Sequence, residues 1–281
     1  MKGERGYVSI MAIWISAILI VLASGLVIFI QFNQRAVKNY LNHIKAFYVA
    51  KAGMNDIIFH RSQGDKEQFC TEAGLQELNN SYQNVRFGEG AYSVVLEDEK
   101  SKANLNTASE VLIKNIMNLI KIGDSDRKAR AIIKWRRENG YFLHVEELGL
   151  VSDLDVNDCF MLIPYFTIYS IGLPGSNSLN VNTASKVILQ AHFDEFRAPS
   201  RLTEQVISRR PFKGGDEVRS FIRNKAPGFS DDMVKYFTWS APQHRLRVTA
   251  AVGTSNVVLN LVVELWHEGH DIICIRDWWE E

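Results

Sequence analysis

The histidine pair His267 and His270, in the run HEGH, is one candidate for metal chemistry in this 281-residue sequence. A zinc motif of this kind needs its histidines on one face of a helix, but the apolar runs on either side predict a turn between strands. The pair therefore does not predict a metal site. The sequence also contains no nucleophile–base arrangement, no phosphate-binding loop and no dinucleotide fingerprint. A role other than catalysis is favoured.

The run SDLDVND is a candidate for calcium binding. Asp153, Asp155 and Asn157 have the first three ligand spacings of an EF-hand loop. However, Asp158 stands where that loop needs a glycine, and Pro164 stands where it needs a bidentate glutamate. The segment therefore fails as an EF-hand.

A cluster of basic residues is a candidate for phosphate contacts with nucleic acid. Its members are Arg127, Lys128, Arg130, Lys134, Arg136 and Arg137. Asp124, Asp126 and Glu138 flank the cluster, and the whole chain has 32 Lys plus Arg against 32 Asp plus Glu. Because there is no basic excess, the cluster predicts a solvated helix face, and the sequence argues against DNA as a partner.

The first element of the chain is an uncharged segment at residues 6–34. A helix of that length exceeds the hydrocarbon core of a bilayer, which is about 30 Å thick. The segment is also longer than the h-region of a secretory signal, about 7–15 residues. It therefore predicts a single-pass membrane anchor. Lys2 and Arg5 favour a cytoplasmic N-terminus, although Arg35 and Lys38 on the other flank weaken that preference.

The helical pattern continues beyond the anchor. Apolar residues recur at Val37, Leu41, Ile44, Tyr48, Ile57 and Ile58. Small residues that would let another element approach that same face closely are Ala46, Ala50, Ala52 and Gly53. We predict one helix from about Val8 to His60, half in lipid and half amphipathic.

The basic leader ending in Gly6, followed at once by Tyr7 and the apolar run, resembles the class III signal of type IV pilins and pseudopilins. The stretch AFYVAKAGMNDII resembles the point where the helix of that family leaves the membrane. The resemblance implies that a membrane-embedded prepilin peptidase cleaves after Gly6 and methylates the new N-terminus at Tyr7. An uncleaved anchor is the alternative interpretation.

Met11 departs from the usual pattern of that family. In most pilins the fifth mature residue is a glutamate, whose carboxylate meets the N-terminal amine of a neighbouring subunit; counted from Tyr7, the fifth residue here is Met11. Because an unpaired charge in lipid is costly, such pairing drives assembly. Met11 therefore indicates either another family or a special position in the filament.

An internal repeat occupies the middle of the chain. Its two copies begin NLNTASEVLIKNI and NVNTASKVILQAHF, and each is followed by an aromatic-acidic box, YFLHVEELGLV or PFKGGDEVRSFI. The pattern after each NTAS is helical. We predict that Thr107 and Thr183 act as N-caps, with Glu110 completing a capping box in the first copy.

The first copy resembles the helix-hairpin-helix modules of the competence DNA receptor in its runs NLNTA, AIIKWRRENGYF and VEEL. Those modules hold a phosphate with glycine-rich hairpins, whereas the hairpins KIGDSDRKA and VSDLDVND are rich in aspartate. The double module also resembles the K-type minor pseudopilin of the type II (general) secretion pathway. In that subclass an all-helical insert interrupts the pilin sheet, and the glutamate at mature position five is absent.

Alternating apolar residues on both sides of the repeats predict strands. Tyr92, Val94 and Leu96 precede them, and the runs RLRVTAAV, VVLNLVVELW and IICIRDWW follow. We predict a four-stranded antiparallel sheet packed on the long helix. The predicted fold class is α+β: a pilin-like long N-terminal helix on a small antiparallel sheet, interrupted by an all-α insert of two helix-hairpin-helix/SAM-like repeats.

The predicted organisation follows from these patterns. It comprises a leader at 1–6, the N-terminal helix at 7–62, the first part of the sheet domain at 63–102, the insert at 103–241 with repeats at 103–165 and 178–240, and C-terminal strands at 242–281. Cys70, Cys159 and Cys274 show no CxxC spacing, so one disulfide with one free thiol and three buried thiols both fit.

The resemblance implies a minor pseudopilin that starts or caps a pseudopilus and supports protein export. It implies a single-pass protein of the bacterial inner membrane whose bulk is periplasmic. The implied partners are the prepilin peptidase and other minor pseudopilins, of the I- and J-type, which bind through the N-terminal helix. It implies no cofactor, although a calcium site in the insert stays open without assigned ligands. The alternatives are a membrane-anchored helix-hairpin-helix DNA-binding protein of competence and a type IV pilus tip subunit.

Overall fold

The structure is a computed structural model that describes residues 4–63, 68–169, 178–229, 231–240, 243–267 and 271–280. The first three leader residues and His270 lie outside the described residues, as do the side chains of Tyr7 and His267.

The N-terminal element is a single helix, α1, at Glu4–Gln63. The sequence predicted this helix with slightly shorter bounds. By length and composition, α1 is apolar enough to cross a membrane between Ser9 and Ser62. The C-terminal half of α1 packs on the sheet described below.

A short helix and two strands follow α1. They are α2 at Glu72–Ser81, β1 at Val85–Phe87 and β2 at Gly90–Asp98. Thr71 caps α2 by accepting a hydrogen bond from the Gly74 N–H at 3.2 Å. β1 and β2 form a tight hairpin in which Gly88 has a φ of +59°, a conformation that favours glycine.

The helical insert comes next, and each repeat is closed by a two-residue parallel strand pair. The first repeat contains β3 at Ala103–Asn104, α3 at Glu110–Leu119, α4 at Ser125–Asn139, α5 at Val156–Leu162 and β4 at Phe166–Thr167. The second contains β5 at Leu179–Asn180, α6 at Lys186–Glu195, α7 at Leu202–Arg209, α8 at Gly215–Lys225, α9 at Asp231–Val234 and β6 at Phe237–Thr238. β3 pairs with β4, and β5 pairs with β6. These short pairs were not predicted, because two residues cannot show an alternating pattern.

Three long strands complete the sheet. They are β7 at Gln243–Val252, β8 at Ser255–His267 and β9 at Asp271–Glu280. The strand order is β1-β2-β7-β8-β9, and every neighbouring pair is antiparallel. The prediction of four strands was wrong by one, because the three-residue β1 is too short to carry an alternating signal. The predicted α+β, pilin-like fold class is confirmed.

The alternation predicted for β2 and β7 matches the face of the sheet that packs on α1. Tyr92, Val94 and Leu96 are buried there. So are Leu246, Val248, Ala250 and Val252 on β7. The small residues Ala46, Ala50 and Gly53 are buried and permit this contact. They lie on the face of α1 opposite Val37 and Leu41, so the prediction that all of these residues share one face was wrong. A Cβ on Gly53 would lie 2.5 Å from the Tyr92 ring, so the helix and sheet approach as closely as a glycine allows.

The insert has its own hydrophobic core, separate from the one under α1. Both repeats contribute to it, and Ile113, Ile116, Leu189 and Phe193 are among its fully buried side chains. Since the two cores share no residue, the insert and the pilin-like body are each packed around their own apolar centre.

The predicted N-caps of the repeats were wrong by two residues. Ser109 caps α3 by accepting from the Leu112 N–H at 3.0 Å. Ser185 caps α6 by accepting from the Ile188 N–H at 3.3 Å. Thr107 lies instead in the turn that precedes α3, because its N–H donates to the Asn104 carbonyl at 3.2 Å and belongs to that turn. Thr183 lies in the equivalent turn before α6. Its Oγ1 donates to the carboxylate of Asp98 at the end of β2.

Candidate assembly surface

The C-terminal half of α1 has two apolar faces. One face, with Ala46, Val49, Ala50 and Ile57, is buried against the sheet. The other carries Val37, Leu41 and Tyr48, which are 57%, 49% and 62% exposed. At about 100° per residue these three point away from the sheet. We name Val37, Leu41, Ile44 and Tyr48 the outer stripe, and it is a candidate surface for a partner helix.

The residues implied in processing lie at the other end of the same helix. The backbones of Gly6 and Tyr7 belong to the first turns of α1, and Met11 follows one turn later with an exposed side chain. Because α1 carries no charge between Arg5 and Arg35, Met11 is one more apolar residue of a lipid-compatible surface.

The repeated NxN motif has a structural function in each repeat. The Asn106 side chain donates to the Phe142 carbonyl at 2.9 Å and accepts from the Phe142 N–H at 2.7 Å. In the second repeat, Asn182 makes the same two bonds to Phe212, at 2.9 and 2.8 Å. We call each arrangement a clamp, because one amide satisfies both backbone groups of a residue in the aromatic-acidic box.

The first asparagine of each motif holds the second in place. Asn104 Oδ1 accepts from the Asn106 N–H at 2.8 Å, and Asn180 Oδ1 accepts from the Asn182 N–H at 3.0 Å. Such a bond is a local asparagine turn. In each repeat, the first asparagine therefore orients the second, and the second holds the aromatic-acidic box.

The acidic residues of the boxes also act on the backbone. Glu147 Oε2 accepts from the Leu143 N–H at 3.0 Å, and Glu217 Oε2 accepts from the Lys213 N–H at 2.8 Å. Both residues lie four positions after the residue they contact. The repeated acid therefore stabilises the backbone of the box in each repeat.

The basic cluster of the first repeat is largely engaged within the protein. Lys128 pairs with Asp158 at 2.7 Å, and Arg127 pairs with Asp153 at 2.6 Å. Arg136 donates to the Leu105 carbonyl at 2.9 Å. Since these side chains already have partners, the geometry does not favour a surface for nucleic-acid phosphates.

The spacing that suggested an EF-hand has another explanation. Asp155 caps α5 and forms a capping box with Asp158, while Asp153 pairs with Arg127. Among the described residues, no group of three or more His, Cys, Asp or Glu side chains could hold a metal ion. His270 and the side chain of His267 lie outside that description.

A buried carboxyl group attaches the second repeat to the sheet. Asp98, at the end of β2, accepts hydrogen bonds from Asn180 Nδ2 at 2.8 Å, from Thr183 Oγ1 at 2.5 Å and from the Lys100 N–H at 2.7 Å. Burial raises the pKa of Asp98 to about 6, although these hydrogen bonds act to lower it. The second NxNTAS motif is therefore fixed to the pilin-like body at this carboxyl group.

The first repeat is attached through Glu99 and Tyr169. Glu99 is buried, accepts from Thr167 Oγ1, and pairs with Arg245 Nε at 2.8 Å. Tyr169 Oη donates to Asp277 on β9 at 2.9 Å. Burial and the Asp277 carboxylate raise the pKa of Tyr169. These contacts hold the insert against the face of the sheet opposite α1.

Comparisons with known proteins agree with this architecture. Residues 98–166 match the helix-hairpin-helix motif family, which covers the first repeat. The fold is similar to one chain of the crystal structure of the GspK–GspI–GspJ complex from the type 2 secretion system of enterotoxigenic Escherichia coli. The TM-score is 0.61 at 14% identity, and the match covers 89% of this chain and 99% of that chain. No curated protein sequence matches. The chain has a pseudopilin-like fold.

The cysteines are all thiols. Cys70 and Cys159 are buried and Cys274 is half-buried, and none of the three is bonded to another. The structure therefore shows neither predicted arrangement in full, because it has no disulfide among these three cysteines and Cys274 is not fully buried.

Sequence reasoning missed the junction between insert and sheet. The run LEDEK at residues 96–100 looks like a solvated strand end, yet Asp98, Glu99 and Lys100 are buried. The available signal was position, because three charged residues directly precede the first repeat. Only the fold shows which groups form hydrogen bonds and ion pairs with the carboxylates of Asp98 and Glu99.

Proposed function

We propose that this chain is the K-type minor pseudopilin of a type II secretion system and that it forms the tip, or starting point, of the pseudopilus. The observation that carries the proposal is the interruption of a pilin-like sheet by two clamped helical repeats. The similar fold in a complex that contains GspI and GspJ supports it. In this proposal the protein is structural rather than catalytic.

The position of the insert supports a place at the tip. The turn between β7 and β8 lies beside the membrane-proximal part of the packed helix, where Ser255 Oγ donates to the Asn39 carbonyl at 3.3 Å. The insert joins the sheet at the opposite end of β7, where Asp98 pairs in register with His244. It would therefore occupy the membrane-distal end of the subunit and leave no room for another subunit stacked above it.

Met11 supports the same position. In a filament core, a glutamate at this place would pair with the amine of a neighbouring subunit, because an unpaired charge in lipid is costly. A subunit at the tip has no earlier subunit whose amine it must neutralise. We propose that Met11 is the mark of that position.

We propose I- and J-type minor pseudopilins as partners, bound through the outer stripe. The direct test is co-purification of the full-length chain with both partners from bacterial membranes. Leu41→Glu and Tyr48→Glu should reduce recovery of the complex at least about tenfold, because a desolvated charge opposes apolar packing. Phe59→Glu changes an equally exposed residue further from the membrane and is the matched control. Absence of any complex with these partners would contradict the proposal.

We propose cleavage after Gly6 and methylation of Tyr7 by a prepilin peptidase in the inner membrane. Mass spectrometry of the purified protein should show a chain that begins with N-methylated Tyr7. Its bulk should then be accessible to protease added to the periplasmic side of spheroplasts. A chain that still begins with Met1 would place the protein outside this class.

A DNA-binding role is the second candidate, and the match to the helix-hairpin-helix motif family favours it. Such binding would weaken steeply between about 50 and 200 mM salt if it depended on phosphate contacts. Titration of duplex DNA into the full-length protein should show no binding at about 150 mM salt. Tight, salt-dependent binding there would favour this candidate over the pseudopilin.

A further inference from the structure

The two sides of the sheet differ in how far other parts of the chain cover them. On one side, β2 extends beyond the short edge strand β1. There Asn79 of α2 bonds to both backbone groups of Leu96: Nδ2 donates to the carbonyl at 3.2 Å, and Oδ1 accepts from the N–H at 2.7 Å. The Tyr82 carbonyl accepts from the Val94 N–H at 2.9 Å. This edge is thus closed by the protein's own chain, as proteins commonly protect exposed strands.

The opposite edge, β9, exposes large apolar side chains. Trp278 pairs in register with Leu261, and Ile275 pairs with Val263. Leu261 and Val263 are buried under α1, so Ile275 and Trp278 stand on the same face of the sheet as α1. Yet they are 52% and 58% exposed. Among the described residues, nothing covers them as α1 covers β8.

The flank of α1 forms a wall beside this exposed face. His43 lies 3.4 Å from Glu280, which places that flank next to the end of β9. Tyr40 and Phe47 lie three residues before and four after His43, so they share the flank. We define the β9 groove by its floor, Ile275 and Trp278, and by its wall, Tyr40, His43 and Phe47.

The shape of the β9 groove suits a helix better than a strand. An α-helix is about 10 Å wide and strands are about 4.8 Å apart, so one helix covers about two strands of a sheet. α1 is centred over β7 and β8, which leaves room for a second helix over β9. An added strand would pair with the backbone of β9 but would leave the faces of Ile275 and Trp278 exposed.

The direction of the β9 groove indicates where that helix comes from. Glu280 lies beside His43, near the membrane-proximal end, and β9 runs from there along the packed half of α1. The groove is therefore continuous with the flank of a helix that is apolar enough to enter a membrane. A helix lying in it would run beside α1 towards the same bilayer.

We infer that the β9 groove is a second docking surface, separate from the outer stripe, which receives the N-terminal helix of another membrane-anchored pilin-like subunit. The inference rests on the proposed function, which supplies such subunits. It adds that the partner contacts the edge of the sheet as well as α1, so that the C-terminal strand contributes to assembly.

The test is photo-crosslinking in membranes of cells that express the full-length chain with I- and J-type pseudopilins. A benzophenone amino acid replaces Trp278 in one variant and Phe87 in another. Phe87 is a matched control, because it is 52% exposed on the opposite edge of the sheet. We expect a crosslink from position 278 to the N-terminal helix of a partner, and none from position 87.

Charged substitutions give a second, independent measurement. Trp278→Glu and Ile275→Glu should each lower recovery of the complex at least about fivefold, whereas Phe87→Glu should leave it unchanged. If the complex forms and neither substitution nor crosslinking involves the β9 groove, the inference fails while the proposed function stands. A crosslink to a partner strand, or to a second copy of this chain, also overturns it. If no complex forms at all, the proposed function fails with it.

Discussion

The side chain of Asn182 forms hydrogen bonds with both backbone groups of Phe212, which lies thirty residues further along the chain. Its Nδ2 donates to the Phe212 carbonyl at 2.9 Å, and its Oδ1 accepts from the Phe212 N–H at 2.8 Å. The same side chain donates to the Trp239 carbonyl at 3.1 Å. One asparagine therefore joins the start, the middle and the end of the second repeat.

Asn182→Ala should destabilise the protein by about 2–4 kcal/mol, because it leaves buried backbone groups without partners at about 1–3 kcal/mol each. Urea unfolding of the full-length protein in detergent measures this. Asn106→Ala should have a similar effect in the first repeat. Asn80→Ala removes an exposed asparagine and should change the free energy of unfolding by less than about 0.5 kcal/mol. Equal effects of all three would show that the clamps contribute nothing special.

Gly53→Ala should weaken the packing of α1 on the sheet. Its Cβ would lie 2.5 Å from the Tyr92 ring, so the helix or the ring must move. Such overpacking costs about 1–3 kcal/mol. Gly149→Ala is the control, because a Cβ there meets nothing within 4 Å. A thermal unfolding midpoint unchanged by Gly53→Ala would mean that the helix does not lie this close to β2.

Stability should fall in acid because of His192. Burial lowers the pKa of this side chain to about 4, whereas in the unfolded chain it is about 6.5. The unfolded state therefore binds the proton more tightly, and stability is lost as pH falls from about 6.5 towards 4. Between pH 7 and 5 the loss from this group is about 2 kcal/mol. The His192→Gln variant should lack this part of the pH dependence, as unfolding of both proteins at several pH values would reveal.

The contribution of Asp98 to stability should change with pH in the opposite direction to that of His192. Its pKa is raised to about 6 in the folded protein and is about 3.9 when unfolded, so the folded state binds the proton more tightly. Its contribution to stability therefore increases as pH falls through 6 and reaches its full value below about 4. Relative to Asp98→Asn, the wild type should gain about 1 kcal/mol between pH 7 and 5. A difference that is constant with pH would mean that Asp98 is not buried as an acid.

Periodicity predicted the fold because burial imposes it. The alternation of Tyr92, Val94 and Leu96 corresponds to one face of the sheet. The small residues around Gly53 correspond to the place where α1 closely approaches the sheet. The same reasoning could not say which apolar face of α1 is buried. Val37, Leu41 and Tyr48 have helical spacing too, yet they form the exposed outer stripe. Periodicity detects a helix face but not the partner that covers it.

The remaining misses arise where a residue's role depends on contacts that its type alone does not reveal. Thr107 and Ser109 are both plausible caps by type, and the turn fixed by Asn104 decides between them. The aspartate at position 98 reads as a surface charge until Asn180 and Thr183 are seen to bind it. The partners of Asp98 lie 82 and 85 residues further along the chain, so its burial is not encoded near position 98.

The register of β2 and β7 shows that the insert connects two directly paired strands. Asp98, the last residue of β2, is directly opposite His244 near the start of β7, in an uninterrupted antiparallel pair. Topologically, both repeats together are the loop of a β-hairpin. An insertion at this single turn leaves the pairing of β2 with β7 unchanged, so the same site would accept another domain in place of the repeats.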